Sequence, residues 1–497
     1  MLPLTLRLVA AAVVTFSLGL QTSPAGRPGP ALTHIDGLGS ISFPNSGNAA
    51  AQAPFVRGVL LLHSFEYEAA AEAFRQAQAA DAGFALAYWG EAMTYNHPLW
   101  QQQDRDAALK ALARLAPTPE ARAAKAPTDR ERQYLGAVDA LYGAGSKHDR
   151  DQAYMHAMER LQNAYPDDME ARAFHALSIL GSRDGVRDFA TYMRAAATVQ
   201  PVFDANPDHP GAAHYLIHSF DDPVHAPLGL PAARRYSQIA PAAPHAQHMT
   251  SHIFVALGMW DDVVQANERA SAAQNADAAK RGLRPGVCGH YTSWLQYGYL
   301  MLGQTAKAEA MMDQCAARMA DKPSAGEIEY YVQMRARQII DTQNWALASR
   351  WSWSPPATGR GGAASPQRTE YDFTTALAAI ERGDASAARA FIAAPASTEP
   401  KSRTYAQELA GLVAIADGKP DDGLRLLRAA AEAEDAMPFE FGPPAIVKPT
   451  AELLGEQLLK LGKPDEAHAA FERAAERTPG RTLVVAGLKA TASGGHP

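Results

Sequence analysis

At 497 residues, with 47% hydrophobic and 20% charged side chains, the chain has the composition of an ordinary globular protein. Its 46 basic and 53 acidic residues give a net charge of −7, and no basic patch suggests a nucleic-acid partner. Length alone predicts about three domains, but a solenoid grows without needing a new core, so internal periodicity decides the organisation.

Residues 1–25 read as an export signal. Arg7 precedes an apolar run from Leu8 to Leu20, too short to span a bilayer and of a length that suits a cleaved signal. This predicts a periplasmic or secreted chain with no stable membrane insertion after cleavage; an uncleaved anchor is the alternative. Residues 26–54 follow as an N-terminal extension.

From Leu60 to Asp81 an apolar helix, a turn at Glu66-Tyr67 and a second helix with Ala70, Phe74 and Ala77 at helical spacing form one unit. Less regular units span 85–115, 129–166, 168–207, 327–350 and 371–393. Clearer ones turn at Gly258, Gly303, Gly418 and Gly462, the last leading through Pro464 and Ala467 to Phe471, Ala474 and Pro479. These units resemble the tetratricopeptide repeat (TPR), a helix-turn-helix of about 34 residues. The resemblance implies an all-α, right-handed superhelical solenoid with first helices lining the concave side. It covers a solenoid at 55–354, a Gly/Pro/Ser-rich linker at 355–367 and C-terminal repeats at 368–480, before a C-terminal helix and tail at 481–497.

Seven of the sixteen histidines lie between positions 209 and 252. Two His-x-x-x-His pairs, His214/His218 and His248/His252, each set two imidazoles one turn apart on a helical face. Counted against the repeat, His245, His248 and His252 take the second, fifth and ninth places of one first helix. His214 and His218 take the fifth and ninth of the preceding one, and His290 the second of the next. The TPR resemblance implies that such places face the groove. His214, His218, His248 and His252 are therefore expected to form a four-histidine nest for a transition metal, copper or zinc, with His245 and His290 as a fifth ligand or as hydrogen-bond partners that orient a ring. Ordinary polar groove residues are the alternative. His175 is a weaker candidate for a ninth place, and His209 and His225 are less suited as ligands. Neither pair is a zincin motif, because Tyr215 and Met249 stand where a glutamate is needed. A catalytic base would come from elsewhere, Asp221, Asp222, Glu327 and Glu329 being candidates by their place in the chain.

Cys288 and Cys315 lie on either side of the Gly303 turn, so an antiparallel hairpin brings them together, and an oxidising compartment favours a disulfide. Two buried thiols, or Cys288 as a metal ligand beside His290, are the alternatives. Tyr88, Trp89, Tyr95 and Trp100, with His97, are read as core before groove. The proline-rich segment 439–449 is expected to be a loop that could dip into the groove, with Glu440 and Lys448 facing solvent or fixing the hairpin. SFPNSG at 42–47, together with LLHSFEYEAAAEAF, YWGEAMTYNHPLW and HPGAAHYLIH, is similar to secreted bacterial TPR-repeat proteins of unassigned activity, which implies the fold and no reaction. Two functions follow as expectations: a metal-binding groove, with a metalloenzyme as one form of it, or a non-catalytic scaffold holding a peptide or protein partner.

Overall fold

The computed structural model describes residues 31–183, 187–357, 365–394 and 398–492. The export signal, the middle of the Gly/Pro/Ser-rich linker and the last five residues of the tail lie outside the described residues.

The chain is a TPR-like solenoid of stacked helix pairs. The first pair, Ala49–His63 and Tyr67–Ala80, is followed through the chain by pairs such as Pro244–Ala256 with Trp260–Lys280, Pro400–Ala416 with Pro420–Asp435, and Thr450–Lys460 with Pro464–Arg477. Each pair packs on itself and on its neighbour because a two-helix unit leaves an apolar face that only the next unit can cover. In the first pair Ala70, Phe74 and Ala77 turn inward and are fully buried. At the turn between Pro244–Ala256 and Trp260–Lys280, Gly258 has φ +67°. That left-handed conformation lets the Met259 N–H reach back to the Phe254 carbonyl and stop the helix.

Strand is confined, among the described residues, to two small antiparallel hairpins. Thr33–Ile35 pairs with Gly39–Ile41, and Asn96–His97 pairs with Gln102–Gln103. The second is an insertion between the helices Ala85–Met93 and Arg105–Leu115. No helix among the described residues is long and apolar enough to cross a membrane.

The stack curves until distant units meet. The first helix packs against Pro210–Ser219, and the N-terminal hairpin joins in as the Ser40 N–H donates to the Asp208 carbonyl at 3.0 Å. At the other end, the Trp260 indole N–H donates to the Gly480 carbonyl at 2.8 Å and the Thr482 hydroxyl to the Met301 carbonyl at 2.9 Å. Between these two contacts Arg481, 1% exposed, binds Glu452 and Asp341. Glu452 also accepts from the buried Lys448, which thus fixes the last hairpin and does not face solvent. Cys288 and Cys315 are joined as a disulfide with Cα atoms 4.8 Å apart, so Cys288 is no metal ligand. The bond ties the start of helix His290–Met301 to its partner Thr305–Arg318.

Replacing Arg481 by Ala leaves Asp341 and Glu452 buried with their shared cation gone. A loss of about 3–5 kcal/mol is expected in urea unfolding, whereas Arg425→Ala, at an exposed helix surface, is expected to change stability by less than about 0.5 kcal/mol.

Candidate metal centre

Three first helices converge on one buried place. Pro210–Ser219 and Pro244–Ala256 both start on a proline, whose fixed φ suits the first helical position. His290–Met301 is held at its start by the disulfide. The four-residue spacing brings the rings of His214 and His218 to 4.8 Å between centroids, with their Nε2 atoms 3.1 Å apart. His248 and His252 repeat this at 4.9 Å and 3.0 Å.

The six expected histidines come together, but as two triads and not as one four-membered nest. His245 faces back to the preceding helix, with its ring 5.1 Å from that of His214, and completes a set with His214 and His218. His290 lies 4.4 Å from His248 and completes a set with His248 and His252. Within each set the ligating atoms lie within 4.8 Å of one another. The sets adjoin through His218 and His252 at 5.9 Å and through His245 and His248 at 6.3 Å.

Hydrogen bonds assign the tautomers of three rings. His214 Nδ1–H donates to the His63 carbonyl at 2.7 Å. His248 Nδ1–H donates to Asn267 Oδ1 at 2.7 Å, the amide being oriented by its own N–H on the Val263 carbonyl. His252 Nδ1–H donates to Asp221 Oδ2 at 2.6 Å. Each leaves the Nε2 lone pair directed at its neighbour, the anchoring pattern typical of metal-bound imidazoles. His245 Nε2 is buried with no hydrogen-bond partner. Burial disfavours the imidazolium form: it pushes His214 and His290 down to about 3 and holds His218, His245 and His248 well below the usual range.

The groove here is filled, not open. Phe65 packs on His214 at 4.3 Å and stacks on His245, Trp294 covers His252 at 4.4 Å, and Phe441 from the proline-rich loop lies 5.4 Å from His252. That loop therefore does enter the groove. Phe65 has φ +57° at the turn position that Gly258 occupies in its own pair. A non-glycine residue held in this region carries local strain, and here the strained turn aims an aromatic ring at the histidines. Tyr88 and Trp89 are core as expected, whereas Trp100 is 43% exposed at the edge of the centre, 5.9 Å from His245.

The other candidates lie elsewhere. His175 bonds Gln162 at 2.6 Å. His225 and Arg187 both engage Asp222. Glu327 caps its helix through Ser324 and binds Arg318, and Glu329 lines a separate surface cleft. Of the four candidate bases only Asp221 bonds one of the six clustered histidines, as an acceptor that orients His252.

Sequence reasoning missed one cluster. Glu170, wholly buried, accepts from His63 Nε2 at 2.8 Å and from His209 Nε2 at 3.1 Å. The remaining nitrogens are also engaged, His63 Nδ1 with the Tyr215 hydroxyl at 2.8 Å and His209 Nδ1 as acceptor from the Ala212 N–H. Burial works to raise the Glu170 carboxyl, yet His209 and His63 hold it down at about 2, while burial lowers the His63 imidazole against the pull of Glu170. With every nitrogen satisfied, this triad suits a structural tie better than a metal site. A signal was present: His-Ser-Phe occurs at 63–65 and again at 218–220.

No family model and no curated protein matches the sequence. Among solved structures the chain is similar to the Cut9–Hcn1 hetero-tetramer of APC/C, at 11% identity over 90% of this chain and 78% of that one, TM-score 0.35. It is similar also to the human IFIT1 dimer with m7Gppp-AAAA (12%, 91% and 92%, TM-score 0.36) and to yeast Tom70 (11%, 89% and 96%, TM-score 0.31). At these scores the likeness transfers neither a partner nor an activity to this chain.

Glu170→Gln keeps the shape but puts an amide N–H where one imidazole now donates. Stability is expected to fall by about 2–3 kcal/mol in urea unfolding, since one buried charged hydrogen bond is lost.

Proposed function

We propose that this chain is an exported, periplasmic or secreted protein that binds a transition metal, copper or zinc, through His214, His218, His245, His248, His252 and His290. The observation that carries this reading is the pair His248 and His252. Both rings spend their N–H on fixed acceptors, so two bare Nε2 lone pairs face each other at 3.0 Å. Only a cation between them satisfies both. A metal ion 2.0–2.1 Å from each of two imidazoles places those nitrogens about 3.3 Å apart in tetrahedral geometry, close to what the two pairs show. A proton could serve one such pair, but it would leave His245 Nε2 orphaned, and a buried unmet acceptor costs about 1–3 kcal/mol. The aromatic cover, by excluding water, further favours retention of a bound ion.

A second reading, a non-catalytic scaffold for a peptide or protein, rests on the TPR-like fold and on apolar side chains left in solvent beside the centre. Phe189, Val224 and Phe441 are 40%, 62% and 40% exposed, and Phe189 stacks on Phe439 of the proline-rich loop at 6.0 Å. Concave surfaces of this architecture commonly hold partners.

Elemental analysis of the untagged protein, before and after mild chelation, separates the two. Copper or zinc at about one ion per chain or more is expected, and a His248→Ala, His252→Ala variant that keeps its helical circular dichroism should lose at least the ion that those two rings hold. Protein that retains no metal and takes none up would remove the metal reading and leave the scaffold.

A further inference from the structure

We infer that the histidines form a binuclear centre, one metal ion in the triad His214, His218, His245 and a second in the triad His248, His252, His290, bridged by a small anion. This deepens the metal reading above and rests on it.

Three observations separate the ions. Each triad is closed on itself, its ligating atoms lying within 4.8 Å of one another. Each contains a His-x-x-x-His pair whose Nε2 atoms, 3.1 Å and 3.0 Å apart, are spaced for one shared ion. The triads are also anchored independently, one on the His63 carbonyl and the other on Asn267 and Asp221. A single ion drawn to the middle would have to break those anchors to gather all six rings.

Two further observations join the ions. Ring separations between the triads, 5.9 Å and 6.3 Å, exceed those of 4.4 to 5.1 Å within them by little. Three imidazoles leave the fourth place of a tetrahedral ion open, and two neighbouring ions can share what fills it, as two-metal sites with ions about 3.5–4 Å apart do. Charge gives the bridge its sign. Six neutral imidazoles contribute none, Asp221 is the carboxylate bonded to the set, and Asp222 is already paired with Arg187. Two buried divalent ions therefore need a further anion, and hydroxide is small enough to fit between them.

Copper(II) is the probe. The full-length protein, stripped by chelation, is titrated with copper(II) and desalted, and bound copper and electron paramagnetic resonance intensity are measured on the same sample. About two copper ions per chain are expected, with an integrated signal well below two spins, because the bridge couples the unpaired electrons. Blocking one triad by His245→Gln, or the other by His290→Gln, should leave about one ion carrying about one full spin. One ion in the unaltered protein, lost with a ligand from either triad, overturns the binuclear centre while the metal reading stands. Two ions with two full spins overturn the bridge. No copper bound at all removes the metal reading itself, so the failures are distinguishable.

Discussion

The tie of His63 and His209 on the wholly buried Glu170 is the contact on which the rest of the molecule depends. Its three residues come from the first helix, from Met169–Gly181 and from the cap of Pro210–Ser219, elements that a straight stack would keep apart. A buried carboxylate is stable only where donors meet it, and two imidazole N–H groups do so here. The close fit is recorded at Gly211, where a Cβ would lie 2.3 Å from the His63 ring. Because the first helix is drawn onto Pro210–Ser219, its final carbonyl lands on His214 and its turn drives Phe65 among the histidines.

The two kinds of histidine cluster therefore do opposite work. In the tie, every nitrogen has a partner and one carboxylate balances the set. In the six-histidine centre, three rings are anchored through Nδ1 and turn Nε2 toward a neighbour, and His245 Nε2 has no partner, within aromatic walls. Neutral, oriented, unshared lone pairs are poor for stability and well suited to a metal ion. The strained turn at Phe65 belongs to the same trade: a fold optimised for stability alone would place glycine there, as the Gly258 turn does.

Much of this was legible in the sequence, for local reasons. The Gly258 and Gly462 turns, the small residues of second helices and the two His-x-x-x-His pairs all act within one or two helical turns, and the helix pairs appear where those signals put them. The six histidines were found by counting from those turns. Their division into triads was not, because whether His245 joins His248 on its own helix or His214 on the one before depends on the curvature of the stack. The same holds for His63 and Glu170, whose side chains meet across 107 positions; only the repeated His-Ser-Phe hinted at the first, and nothing local marked the second. The proline-rich loop was expected to be able to dip into the groove and does so through Phe441, whereas the entry of Phe65 from a distant unit had no local signal.

The most direct test of the account is where a metal sits. Crystals of the untagged protein, measured at the absorption edge of the metal that elemental analysis identifies, are expected to show anomalous density among the Nε2 atoms of these histidines, with a peak between His248 and His252. Anomalous density only at surface carboxylates, or none in crystals grown with added copper or zinc, would contradict the claim that this solenoid is built around a metal centre.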